Sequence, residues 1–313
     1  MIDFRYHVIS IVAVFLALTV GIVLGSSFLD QPLLSQLGKE ATKLNEQTDV
    51  LRTQVRQLQR DEQYRDLFVS EVTPTLVRDR LDGQTILVVS MPGVADTLIG
   101  GTITVLRQAG ADIAGQLRMQ ESYGDPRRDA QLGELVARLA PSSLSLPAGS
   151  PAQRAGTVIA AATMTKNATS GPRPTDAVLT GFADAGFVEV TRKPTRRATL
   201  AVLLAAPADT DADTTSSRNV AGIALARALN SAGRGAVLGG PRETAVVGGI
   251  IAALRADNKL SREFSSIDMA DTPPGQAGLV FALVAEASGN FGHYGLTSAT
   301  DGPVANVFSP INP

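Results

Sequence analysis

One uncharged apolar stretch limits what this chain can fold into more than any other feature. Residues 8–29 read VISIVAVFLALTVGIVLGSSFL and contain no Asp, Glu, Lys or Arg. A helix of 22 residues rises about 33 Å, enough to cross a hydrocarbon layer of about 30 Å. The segment therefore predicts a single transmembrane anchor at 8–29, preceded by a short N-terminal tail at 1–7.

A cleavable signal peptide is the alternative, because Gly25 and Ser27 are small residues suited to a cleavage site. The apolar run from Val8 to Leu24 exceeds the usual length of about 7–15 residues, and Arg5 is the only basic residue before it. These features favour an uncleaved anchor. Flanking charge encodes orientation weakly, and the likeness to a signal-anchor favours an extracytoplasmic position for the rest of the chain.

Small residues recur at every fourth position of the anchor and would form one stripe on a helix. They are Ala13, Ala17, Gly21 and Gly25. Small side chains let two helix backbones approach closely in lipid, which predicts a dimer face. The alternative is that Gly and Ala are simply common in membrane helices.

A leucine heptad follows the anchor over residues 33–72. The d positions are Leu37, Leu44, Leu51 and Leu58, and the a positions are Leu34, Ala41, Thr48 and Val55. This pattern predicts a parallel two-stranded coiled coil, hence a homodimer, in which positions 33–70 make a stalk of about 57 Å. The alternative is a single amphipathic helix that folds back on the globular part.

Beyond the turn at Asp82-Gly83, apolar runs alternate with helical patterns. Strands are predicted at 85–91, 111–118, 187–190, 199–205, 235–239 and 264–268, and helices at 94–109, 129–140, 152–165, 176–185, 217–231, 244–255 and 275–287. This alternation predicts an α/β head with a mostly parallel sheet. The polar stretch 166–175 suggests two similar halves, 83–168 and 176–295, followed by a flexible tail at 296–313.

The composition excludes several kinds of chemical site. The chain has no Cys and two His, which excludes disulfides, thiolate metal sites and Cys nucleophiles. A net charge of −2 argues against nucleic acid as a primary partner. Because no motif reaches a reaction class, the chain is expected to be a non-enzyme without a cofactor.

Four weaker motifs remain, each with a structural alternative. Gly239-Gly240-Pro241-Arg242 before a predicted helix could hold an anion, or be only a tight turn. Asp209, Asp211 and Asp213 alternate as in a calcium loop, but Thr214 and Val220 occupy the positions that need Gly and Glu. His293 stands alone, as structural histidines usually do. Asp268 and Asp271 follow a predicted strand, at the edge where α/β sheets carry their sites.

The order of these parts resembles the actinobacterial MctB family over almost the whole chain. The segments that carry the resemblance are MIDFRYHVISIVAVFLALTVGIVLGS and FSSIDMADTPPGQAGLVFALVAEASGNFGHYG, in which DFRYHVIS and GHYG are most specific. The resemblance implies a pore-forming protein of the outer membrane that moves copper and confers copper resistance. It carries over no metal ligand, so whether copper is bound directly stays open.

The resemblance also implies a second function, in which a single-pass envelope protein acts with a SteA-type partner in cell division and wall remodelling. Membrane barrels need many strands that alternate apolar and polar residues, whereas the strands predicted here are continuously apolar. The residues therefore favour a dimeric, membrane-anchored scaffold, while the family favours copper efflux.

Overall fold

The computed structural model describes residues 4–167, 176–208, 212–297 and 299–306, without the side chains of residues 4–5, 26–38, 212 and 214. The chain divides into two compact units, Met1–Arg65 and Asp66–Pro313.

A single helix, α1, runs from Phe4 to Val77 and contains both the predicted anchor and the heptad segment. Tyr6–Gly25 is the one stretch among the described residues that is long and apolar enough to cross a membrane, with a mean hydropathy of 2.8 and no residue buried in the protein. The predicted anchor is thus present as a candidate membrane span.

Seven strands form one sheet in the second unit. They are β1 Thr85–Ser90, β2 Asp112–Met119, β3 Val188–Arg192, β4 Leu200–Leu204, β5 Gly235–Gly239, β6 Ser265–Ile267 and β7 His293–Tyr294. The order is β3-β2-β1-β4-β5-β6-β7, and β3 alone is antiparallel to its neighbour. The predicted α/β fold with a mostly parallel sheet is confirmed.

Seven helices accompany the sheet among the described residues. They are α2 Asp96–Gln108, α3 Asp129–Leu139, α4 Pro151–Thr163, α5 Asp176–Asp184, α6 Ala212–Ala232, α7 Ile250–Ala256 and α8 Pro273–Ala287. Short 3₁₀ turns lie at Glu121–Gly124, Pro126–Arg128, Arg242–Ala245 and Leu260–Arg262.

The two faces of the sheet support separate hydrophobic cores, because successive strand residues point to opposite sides. On one face, Leu87 and Val89 of β1 join a core with residues of α3, α4, α5 and α6. On the other, Ile86 and Val88 join a core with α2 and α8. Every residue of β1, β4 and β5 is buried, which is why these strands read as continuous apolar runs.

Two segments differ from the sequence-based expectation. The predicted helix 244–255 begins at Ile250, because Gly248 adopts a φ of 90° that a continuous helix does not accommodate. Within the predicted tail, Ala305 is buried and Gly302 forms a bridge with Tyr294. Strands from both predicted halves share the one sheet, and most of the proposed boundary lies outside the described residues.

Candidate functional site

The carboxyl edge of the sheet has a crevice between β1 and β4. The chain leaves β1 toward β2 on one side and leaves β4 toward β5 on the other, and ligands of doubly wound sheets bind at such a switch point. The lining residues are Met91, Pro92, Ala205, Ala206, Pro207, Ala208, Thr215, Arg218, Asn219 and Ile250. The volume of about 20 Å³ is close to that of a single water site.

The polar side chains of the crevice are engaged with the protein. The Arg218 guanidinium lies 2.5 Å from Glu121 Oε2, and Asn219 Nδ2 donates to the Gly248 carbonyl at 2.8 Å. The described part of the crevice, which lacks residues 209–211, therefore offers neither the space nor the free polar groups that a small-molecule ligand needs.

A buried ion pair between Arg255 and Asp268 lies at the end of β6. Arg255 Nη1 lies 2.7 Å from Asp268 Oδ2, and the two side chains are only 5% and 0% exposed. Arg255 also donates to Ser266 Oγ and to the Tyr294 carbonyl. Buried charges persist only when paired and hydrogen-bonded in this way.

The same carboxylate holds the chain that follows β7. Asp268 accepts from the Leu296 amide at 2.8 Å and from the Thr297 hydroxyl. A side chain at Gly295, whose φ is 138°, would collide with Asp268. Burial alone raises the pKa of Asp268, but the bonds from Thr297, Arg255 and Leu296 outweigh it and hold that pKa below its usual value. We call this group, Arg255, Asp268, Leu296 and Thr297, the clasp.

His293 is bonded within the protein, as expected of a structural histidine. Its Nδ1 lies 2.9 Å from Ser266 Oγ, and its Nε2 lies 2.9 Å from the Ser261 carbonyl, so Nε2 carries the proton and donates. Burial and the nearby Arg255 charge lower the pKa of His293. Both ring nitrogens are used within the protein, which leaves neither for a ligand.

Glu286 is a second buried carboxyl, on α8. Its Oε1 accepts from the Ser265 amide at 2.6 Å. Burial raises the pKa of Glu286 to about 7, and the bonds with Ser265 oppose the shift. The residue patterns predicted a role for neither Glu286 nor Arg255. For Glu286 a signal exists, since it is the one charged residue in the apolar helix AGLVFALVAEA.

The weaker motifs do not converge on a metal or anion site. Arg242 begins a four-residue 3₁₀ turn and no α-helix starts there, so the predicted helix N-terminus is missing. Asp209 and Asp211 lie outside the described residues. Burial and the nearby Glu243 raise the pKa of Asp271. Among the described residues, no three His, Cys, Asp or Glu side chains are placed to hold a metal ion.

The predicted dimer residues all lie on α1. In the anchor, Ala13, Ala17, Gly21 and Gly25 are exposed, and a Cβ at either glycine would meet no atom within 4 Å. The heptad leucines are exposed too, Leu44 by 62%, Leu51 by 60% and Leu58 by 67%. Ala41, Thr48 and Val55 are likewise exposed, while the side chains of Leu34 and Leu37 lie outside the described residues. Within the unit Met1–Arg65, the described dimer positions are thus all exposed.

Comparison with known proteins gives one consistent result. Residues 1–304 match the model of a family described as "Copper transport outer membrane protein, MctB". The curated "Copper transporter MctB" proteins of Mycobacterium bovis and Mycobacterium tuberculosis are 30% identical over 311 residues, covering 94% of this chain and 96% of the relative. That of Mycobacterium leprae is 28% identical over 312 residues, covering 95% and 96%.

Proposed function

The chain belongs to the MctB family of copper transport outer membrane proteins, and from that membership we propose that it is an envelope membrane protein that promotes copper efflux and resistance. The observation that carries the proposal is the extent of the match. It covers residues 1–304 and so includes both the candidate span Tyr6–Gly25 and the α/β head. The head then acts as a non-enzymatic component on the extracytoplasmic side.

Growth in copper tests this proposal. Cells that lack the chain should be inhibited at lower copper concentrations than their parent, and the full chain should restore growth. Residues 66–313 alone should not restore it, because the proposal requires the membrane span. Zinc sensitivity is the control and should stay unchanged. Equal copper sensitivity with and without the chain would contradict the proposal.

Self-association through α1 is the next part of the proposal. The exposed leucines at positions 44, 51 and 58 repeat every seven residues, and Val55 lies between the last two. Knobs-into-holes packing against a second α1 would cover them, and the Ala/Gly stripe of the anchor would let the spans meet. The most specific form of this proposal is a copper pore, which needs several membrane spans around one channel.

Single cysteines test the dimer cleanly, because the chain has none of its own. Leu51→Cys lies at a d position, where the Cα atoms of two parallel helices come within the disulfide range of about 4.4–6.8 Å. Mild oxidation in membranes should convert most of this variant to a dimer. Thr53→Cys, two residues away on the outer face, is the matched control and should stay monomeric. Equal yields from both would disprove the predicted register.

A scaffold that works with a SteA-type partner in cell division is the second candidate function. Two observations favour it: the exposed heptad stripe suits protein contacts, and the polar groups of the crevice and clasp already bond within the head. In this case, loss of the chain should lengthen cells and delay septation without changing copper tolerance. Measuring both phenotypes in one deletion strain separates the two functions.

A further inference from the structure

One edge of the sheet collects positive charge. Strands β1, β2, β4 and β5 run parallel, so all four begin at the same edge, the amino edge. A group of six basic residues lies on segments that reach this edge. They are Lys166, Arg192, Lys193, Arg196, Arg197 and Arg234. We call this group the basic edge.

Backbone bonds bring the three segments that carry these residues together. The Thr165 amide donates to the Ala198 carbonyl at 2.8 Å, which places Lys166 beside the run 196–198. The Arg234 amide donates to the Thr199 carbonyl at 2.7 Å. The three segments are therefore neighbours along the amino edge.

The last residue of β3 and the loop between β3 and β4 together hold four of these cations on a fixed backbone. The Thr195 amide donates to the Ala114 carbonyl at 3.1 Å. Pro194 is buried against Gly115, where an added Cβ would lie 2.6 Å from the proline ring. A loop packed in this way presents its charged side chains without the ordering cost that a flexible loop would incur.

Acidic groups at the same edge, among them exposed Asp82 just before β1, offset part of this charge. Lys193 pairs with Asp176, and Arg196 pairs with Asp112. Both pairs are largely exposed, and exposed pairs are weak enough to exchange for another anion. Among the described residues, no carboxylate forms an ion pair with Lys166, Arg192, Arg197 or Arg234.

The surroundings of the basic edge indicate which anion it fits. The large apolar side chains that the described part of the head exposes, such as Val247 and Leu296, lie outside the segments 163–167 and 191–198. Exposed Phe291, just before β7, lies at the amino edge but outside these two segments. A protein interface needs an apolar centre, and single-stranded nucleic acid needs aromatic platforms. Neither is present in these segments. Arginine, which forms four of the six residues, binds phosphate with two parallel bonds.

We propose that the basic edge docks the head on a membrane surface of anionic phospholipid headgroups. A layer of phosphates requires clustered cations and no apolar pocket, which is what this edge supplies. The proposal goes beyond copper transport, because it assigns the head a second membrane contact in addition to the α1 span.

Vesicle capture tests the docking. The full chain is placed in vesicles of neutral phosphatidylcholine, and fluorescent vesicles rich in phosphatidylglycerol are then added. The anionic vesicles should be captured, and neutral ones should not. Arg192→Glu combined with Lys193→Glu should weaken capture at least tenfold. Raising the salt to about 0.5 M should have a similar effect, because it shortens the screening length.

A matched variant separates this surface from net charge. Arg127→Glu combined with Arg242→Glu makes the same charge change at the opposite end of the strands. Arg127 pairs with Asp125, and Arg242 forms no ion pair with a carboxylate of the described residues. Capture by this variant should equal that of the wild type. Equal loss in both variants, or equal capture of neutral vesicles, would overturn the proposal. Binding of polyglutamate without vesicle capture would also overturn it, in favour of an acidic protein partner.

Discussion

Two buried carboxyl groups in the head, those of Asp268 and Glu286, have pKa values shifted in opposite directions. Asp268 receives bonds from an arginine, a threonine hydroxyl and an amide, and these hold its pKa low although burial opposes them. Glu286 accepts from Ser265, and burial prevails, so its pKa rises to about 7. Asp268 therefore stays charged at neutral pH, whereas Glu286 changes charge there.

Replacing Glu286 should alter how stability depends on pH. Its folded pKa of about 7 exceeds the ordinary 4.5, so the folded state binds more protons between these values. Stability is therefore full below pH 4.5 and falls as the pH rises through 7, by about 3 kcal/mol in all. Glu286→Gln cannot ionise. The free energy of unfolding of this variant, relative to that of the wild type, should therefore rise by about 3 kcal/mol as the pH increases from 4.5 to 8.

Urea unfolding of residues 66–313 at several pH values measures this difference. His293 acts in the opposite direction, because its lowered pKa makes stability fall as the pH drops below 6.5. It is present in both proteins, so its contribution cancels in the comparison. A difference between variant and wild type that does not change with pH would show that Glu286 titrates normally.

Residue patterns predicted Asp268 of the buried ion pair but not Arg255. Asp268 was a candidate because it directly follows an apolar strand, at the usual site edge. Arg255 lies on α7, 13 residues earlier, and no local spacing connects a helix residue with the end of a later strand. Pairing of this kind depends on how α7 packs beside β6, which is a tertiary property.

At the scale of elements, continuous apolar runs were the dependable signal. The strands predicted at 199–205 and 235–239 match β4 and β5 closely, because both are buried on two faces. β7 has two residues, too few for any periodicity, and exists because it pairs with β6. The sequence likewise predicted β3 but not its antiparallel direction, which depends on the path of the chain.

Helix α1 shows the limit of periodicity as a signal. The heptad predicted a helix, and the structure has one through Val77. The period also predicts a second chain, and the coiled coil with that chain stays a prediction. Exposed leucines on one chain are compatible with a coiled coil or with another partner. Comparing the two single-cysteine variants, Leu51→Cys and Thr53→Cys, decides between them.

At the scale of the whole molecule, the sheet joins what the sequence suggested were two halves. β1 belongs to residues 83–168 and β4 to residues 176–295, yet they lie side by side at the centre of the sheet. Both hydrophobic cores also contain residues from each half. Separating the halves would break the pairing of β1 with β4 and expose both strands, which are fully buried in the intact head.

The halves should therefore not fold alone. Residues 83–168 and 176–295, produced separately, are expected to lack a cooperative unfolding transition, because each loses the apolar burial that its central strand needs. The longer pieces 66–168 and 176–313, produced together, should associate into a folded head, since the cut at 169–175 removes no strand or helix of the described chain. Circular dichroism during thermal unfolding compares the three samples. A cooperative transition from either half alone would instead support two independent domains and a duplicated origin.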